Sequence, residues 1–124
     1  MTNEEIKNSN YIIFNDQSIQ EAMESITYNH RGCVVVVNRD WGVLGVISDG
    51  DIRRAMVSGA TQITPIEKII NTNFVVLTES GKNKLEDVDD IFKDHPKVSI
   101  VPVVDDSNKL VDIIIKGGVY NGTN

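Results

Sequence analysis

Short apolar runs recur along the chain in two rhythms. Tyr11-Ile12-Ile13-Phe14, Val34 to Val37 and Phe74-Val75-Val76-Leu77 are continuous stretches of strand length, bounded by polar turns. Ile19, Ala22, Met23 and Ile26 instead fall on one face at helical spacing, as do Leu85, Val88, Ile91 and Phe92. Ser18, with Glu21 three residues on, is the expected cap of the first helix.

The elements come in a repeated order. The run Val36-Val37-Asn38-Arg39-Asp40-Trp41-Gly42-Val43-Leu44-Gly45-Val46-Ile47 has a partner 67 residues later, Val103-Val104-Asp105-Asp106-Ser107-Asn108-Lys109-Leu110-Val111-Asp112-Ile113-Ile114. Each reads as strand, polar turn, strand, with turn residues that tolerate tight backbone angles. Each is preceded by its own strand and helix. The first unit adds a second helix from Asp49 to Ser58, with Gly59 as its stop. Thr64-Pro65-Ile66-Glu67 reads as a capping-box start and predicts a short helix through Ile70. Pro102 fits a strand start or an edge rather than a central ladder position. Trp41, in the first turn, is expected to pack between the repeats or to meet a partner.

The fold class is therefore α/β, of the α+β kind: two pseudo-symmetric β-α-β-β-α repeats packed together, the second without a normal last helix. The divisions are residues 10–60, a helical linker at 61–72, residues 73–116 and a tail at 117–124. One unit of about 50 residues buries little surface alone, so two are expected to share a core.

Composition narrows the function. With 40% hydrophobic and 24% charged residues the chain is globular rather than disordered. Its net charge of −6, from 12 basic and 18 acidic residues, speaks against nucleic acid and against an anionic membrane surface. The start Met1-Thr2-Asn3-Glu4-Glu5 lacks the marks of a signal peptide, and no apolar run is long enough to span a bilayer. A cytoplasmic location is the expectation. The single cysteine, Cys33, excludes an internal disulfide and a cysteine-built zinc site, and its valine neighbours predict a buried thiol. His30 and His95 lack metal-ligand spacing, and Asp87, Asp89 and Asp90 read as a solvated helix face. No phosphate loop, nucleophile elbow or Cys–His pair is present, so the chain reads as a non-enzyme.

One motif carries chemistry: Gly45-Val46-Ile47-Ser48-Asp49-Gly50-Asp51-Ile52-Arg53-Arg54. A strand runs into a helix whose cap is Ser48 and whose third residue is Asp51. One reading is a capping box and nothing more. The other uses the same geometry as an anion seat, with free N–H groups and partial positive charge, the Ser48 hydroxyl as a donor and Asp51 accepting from ribose hydroxyls. Arg53 and Arg54, two of the chain's four arginines, sit in the first turn, where positive charge disfavours the helix. They fit an anionic ligand or a solvated face. Asp49 would hydrogen-bond a ligand or simply favour the helix dipole.

This motif, with Ser18-Ile19-Gln20-Glu21-Ala22 and Val103-Val104-Asp105, resembles a tandem pair of cystathionine-β-synthase (CBS) domains, a Bateman module, over residues 10–116. The string Ser48 to Arg54 is similar to the subset attached to sugar-phosphate nucleotidyltransferases and arabinose-5-phosphate isomerases. The resemblance implies a regulatory module that needs no cofactor and senses AMP, ATP or a nucleotide sugar. It implies phosphate and ribose roles for Ser48 and Asp51, with Asp49, Arg53, Cys33 and Val34 around the ligand and a wall from the first strand and residues 33–35. It also implies a homodimer and a nucleotidyltransferase catalytic domain in cis or trans, the chain being a regulatory piece of a larger enzyme or a stand-alone remnant. A ligand-free dimerisation module is the alternative. In the second repeat Ile115 replaces Ser48, Gly118 replaces Asp51 and Asp112 replaces Gly45, so one competent site is expected. Asp49-Gly50-Asp51 also resembles haloacid-dehalogenase phosphatases, but the chain is too short for their domain.

Overall fold

The computed structural model describes residues 3–79 and 85–117. After a short helix α1 (Asn3–Lys7), the first repeat comprises β1 (Ile12–Phe14), α2 (Ile19–Asn29), β2 (Cys33–Val37), β3 (Val43–Ser48) and α3 (Asp49–Val57). The second comprises β4 (Leu77–Thr78), α4 (Leu85–Asp94), β5 (Ile100–Val104) and β6 (Leu110–Ile115). Each repeat forms a three-stranded sheet, ordered β1-β2-β3 and β4-β5-β6. The first pair is parallel and the second antiparallel in both. The repeat extends to its irregularities: the ladder shifts register between Val36 and Val37, and again between Val103 and Val104. The expected missing last helix of the second repeat falls outside the described residues, as does the tail beyond Gly117.

β2 is buried along its whole length, which explains its unbroken apolar sequence. Successive side chains point to opposite faces of a strand. Val34 and Val36 join Ile19, Ala22, Ile26 and Ile52 beneath the helices. Cys33, Val35 and Val37 face the other way and pack with Ile100, Val104 and Ile113 of the second repeat. The two units therefore share a core. α1, absent from the sequence expectation, adds Ile6 to it.

The hairpin tips join the repeats as well. Val43 N–H donates to the Asn108 carbonyl (3.0 Å) and Leu110 N–H to that of Trp41 (2.9 Å). Trp41 and Asn108 occupy equivalent positions, and both adopt left-handed φ, 69° and 63°. The Trp41 ring meets Phe14 edge-on at 5.2 Å, and the Lys7 ammonium lies 5.1 Å from its centre.

Three local expectations need correction. Met23 lies toward solvent, 39% exposed. The linker forms one 3-10 turn, Ile66–Lys68, with no side-chain cap. Thr64 Oγ1 instead accepts from Thr61 N–H, and Glu67 N–H donates to the Asn15 carbonyl. Backbone bonds to the first repeat thus replace the capping box. Pro102 is not at an edge: it is buried in β5, the central strand, opposite Ile113. The equivalent Val35 donates its N–H to the Tyr11 carbonyl of β1 at 2.8 Å. Proline has no such donor. Pairing in the second sheet accordingly begins at Leu77–Val103, and the strand expected from Phe74 shrinks to two residues.

No helix among the described residues is long and apolar enough to cross a membrane.

Candidate functional site

α3 starts where β3 ends. Ser48 is extended (φ −107°, ψ 166°), and its Oγ accepts from Asp51 N–H at 3.1 Å. Asp51 Oδ2 returns the bond by accepting from Ser48 N–H at 2.9 Å. The capping box is complete, with Asp in the place Glu takes in α2. The other carboxylate oxygen, Oδ1, accepts from Arg54 Nη2 at 2.8 Å. That guanidinium folds back over the first turn. A Cβ on Gly50 would lie 3.2 Å from Arg54 Nη1, so glycine there leaves the arginine room.

Gly45 sets the other side of the site. Val46 N–H donates to the Asn71 carbonyl at 3.2 Å, which draws the linker across β3. A Cβ on Gly45 would overlap the Ile70 side chain and sit 2.5 Å from the Asn71 carbonyl oxygen. The motif's first glycine is thus a close-approach residue, and the crossing it permits builds a wall.

A cavity of about 230 Å³ lies between that wall and the start of α3. The first repeat contributes Cys33, Val46, Ser48, Asp51 and Arg54. The linker and second repeat contribute Asn71, Asn73, Phe74 and Val75, then Lys97 to Ile100. Of the residues singled out from sequence, Ser48, Asp51, Cys33 and Arg54 come together here. Val34 does not line it: it is fully buried on the opposite face of β2. Asp49 and Arg53 are exposed on α3 and also lie outside the lining. The first strand lines a different cavity, of about 280 Å³ beside α2.

Sequence reasoning missed Phe74, Val75 and the Lys97–Ile100 segment. The signal was the repeat itself. Phe74 and Val75 precede β4 as Asn10 and Tyr11 precede β1, so the lead-in of one repeat walls the site of the other.

Cys33 is a wall residue with a neutral thiol. Ser99 Oγ donates to the Arg31 carbonyl at 2.7 Å, which uses its one hydrogen. The 3.2 Å contact between Cys33 Sγ and Ser99 Oγ is therefore donated by the thiol. Burial pushes that thiol above its ordinary value of 9.0, and the Asp49 and Asp51 carboxylates add to the shift. Close by, the buried Asn29 holds the loop before β2, with Nδ2 donating to the Asn10 and Cys33 carbonyls and Oδ1 accepting from Arg31 N–H.

At the matching end of the second sheet, Ile115 pairs with Ile100 as Ser48 pairs with Cys33. The counterpart of the serine hydroxyl is a buried aliphatic chain. Gly118, in the place of Asp51, lies outside the described residues.

The CBS-domain family model matches residues 4–58 and 66–117. Arabinose 5-phosphate isomerase GutQ of Salmonella typhi is 30% identical over 97 residues, which cover 78% of this chain and 29% of that protein. The chain thus spans less than a third of the curated relatives it matches first. Among solved structures, CBSX2 in complex with AMP aligns with a TM-score of 0.70 at 22% identity, covering 90% of this chain and 84% of that one. CbpB in complex with c-di-AMP aligns with a TM-score of 0.70 at 24% identity, covering 85% and 70%. Both show the same fold.

Proposed function

The chain belongs to the CBS-domain family, and from that premise we propose that it is a regulatory module whose first repeat binds a phosphorylated, nucleotide-type ligand. The observation that carries the reading is the cavity itself. It gathers the Ser48 hydroxyl, the Asp51 carboxylate and the Arg54 guanidinium around one open space, against the apolar Val46, Phe74 and Val75. Apolar walls with a few placed polar groups are what small-ligand sites require. Phosphate sits toward Ser48 and the start of α3, ribose hydroxyls toward Asp51, and a base against Phe74 and Val75. The cavity is smaller than the usual range of about 300–1,000 Å³, which favours a mononucleotide over a dinucleotide. Solved relatives in complex with AMP and with c-di-AMP make nucleotides the first ligands to try.

The controlled enzyme acts on a sugar phosphate and sits in cis or in trans. Similarity to the isomerase GutQ supports that class, and a nucleotidyltransferase is the other member of it. Exposed Met23 and Tyr28 on α2 and Val57 on α3 support a homodimer, to be checked by sedimentation. A cytoplasmic location follows from such a partner.

A ligand-free dimerisation module is the second reading. One observation favours it: Ser48 and Asp51 already satisfy one another as a cap. Thermal unfolding with AMP, ATP, CMP, c-di-AMP and a nucleotide sugar separates the two. A ligand held only by the folded state at a hundredfold its Kd adds about 2.7 kcal/mol. No shift with any of them at millimolar concentration overturns the binding reading.

A further inference from the structure

The site holds a cation that already has a partner. Arg54 donates to Asp51 Oδ1, while Asp51 Oδ2 serves the cap, so neither carboxylate oxygen is idle. Oδ1 accepts a single bond, from Arg54, and a ribose hydroxyl arriving from the cavity competes with that guanidinium for the same oxygen. The Arg54 side chain is 73% exposed against 18% for Asp51, so the arginine is the free-moving member of the pair. Exposed pairs of this kind are weak and exchange readily. Gly50, which has no Cβ to crowd Arg54 Nη1, leaves the guanidinium room over the first turn of α3, beside the cavity it lines.

The charge of the wall points the same way. The chain carries a net charge of −6, yet the charged side chains lining this cavity are two cations and one carboxylate. Arg54 comes from the first repeat and Lys97 from the segment before β5 of the second.

We infer that Arg54 is an exchangeable counter-ion: it neutralises Asp51 in the empty cavity and passes to the ligand's anionic group on binding, where Lys97 joins it from the other repeat. This deepens the proposed function and rests on it. Asp51 Oδ1 is thereby released to accept a ligand hydroxyl. The site then selects molecules that carry both a hydroxyl donor and an anionic group. A neutral nucleoside competes with Arg54 for Oδ1 and gives it no new partner. The anionic group also ties the two repeats together.

Calorimetry with AMP against adenosine, and CMP against cytidine, tests this in the wild type and in Arg54→Gln and Lys97→Gln. Both side chains are exposed, so the variants are expected to fold, which circular dichroism checks. The wild type should prefer the monophosphate by about tenfold or more, as a charge-assisted contact would give. In Arg54→Gln that preference should collapse, with the nucleoside bound as well as before or better because Asp51 is free. Lys97→Gln should weaken the monophosphate several-fold and leave the nucleoside unchanged. If Arg54→Gln keeps the preference, or weakens both ligands equally, the counter-ion role is wrong while the site stands. If the wild type binds neither pair, this inference falls, and the functional reading falls with it only if the wider set of ligands also leaves thermal unfolding unchanged.

Discussion

The two repeats build the same sheet from different residues and end it differently. In the first, β3 runs through Ser48 into a capped helix, with Asp51 in its first turn and Arg54, in its last, reaching back to that carboxylate. In the second, β6 reaches the same register position with the aliphatic Ile115. Topology and even the register shift are preserved, so they depend on the pattern of apolar positions and not on particular side chains. The chemistry depends on two or three polar residues at one strand end, and only the first repeat has them among the described residues. The second repeat is not idle: Phe74, Val75 and Lys97 close the first repeat's cavity. The first half supplies Ser48, Asp51 and Arg54, and the second closes the space with apolar Phe74 and Val75 and the cation Lys97.

The largest expected contrast lies at Gly45 and its counterpart Asp112. Gly45→Ala drives a methyl group against Ile70 and the Asn71 carbonyl. It should cost about 1–3 kcal/mol of overpacking in chemical denaturation and shift the linker wall. Asp112→Ala, where a side chain is already accommodated, should cost less. Equal losses would mean that the linker crossing matters no more than an ordinary strand position.

Next is Ser48. Ser48→Ala removes the cap and should cost about 1 kcal/mol. Because its Oγ also faces the cavity, ligand stabilisation in thermal unfolding should fall in the same variant. Loss of stability with ligand response intact would leave Ser48 as a cap alone, and the first repeat no more chemical than the second.

A smaller contrast is pH-dependent. Cys33 titrates and its counterpart Ile100 does not. The folded thiol has a raised pKa, first from burial, so the folded state binds its proton more tightly than the unfolded chain does. That contribution is fully present below the ordinary value of 9.0 and is lost as pH rises through the folded pKa. Stability measured between pH 8 and about 10.5 should fall more steeply for the wild type than for Cys33→Ala. Parallel curves would remove the thiol from the balance.

The smallest effect concerns the length of β4. Pro102→Val restores the donor that Val35 has, and the pairing of Leu77 with Val103 makes the Val75 carbonyl its expected acceptor. The new amide should exchange slowly with solvent, at a change in stability within about 1 kcal/mol. Fast exchange would show that something other than the missing N–H shortens β4.

Much of this was legible in advance. Continuous valine runs, helical spacing at Ile19, Ala22 and Ile26, and the 67-residue repeat are local or periodic signals, and the strands, helices and shared core followed them. The Ser48–Asp51 cap was legible too, because its partners lie three residues apart. Periodicity marks a helix face but not where that face ends, and Met23 lies beyond its edge. Pro102 depends on its neighbour. A buried central proline is tolerated when the neighbouring strand stops short, and a single strand's sequence does not report its neighbour's length.

Local order came from the chain's own spacing, since caps, turns and strand faces are set by residues within a few positions of one another. The cavity came from assembly. Its far wall reaches Ser48 and Asp51 only because β2 and β5 pack face to face, and because Gly45 lets the Asn71 backbone cross β3. Residues far apart in sequence meet there, Cys33 and Ser99 touching across 66 positions, and Val34, adjacent to Cys33, is excluded because neighbours on a strand face opposite ways.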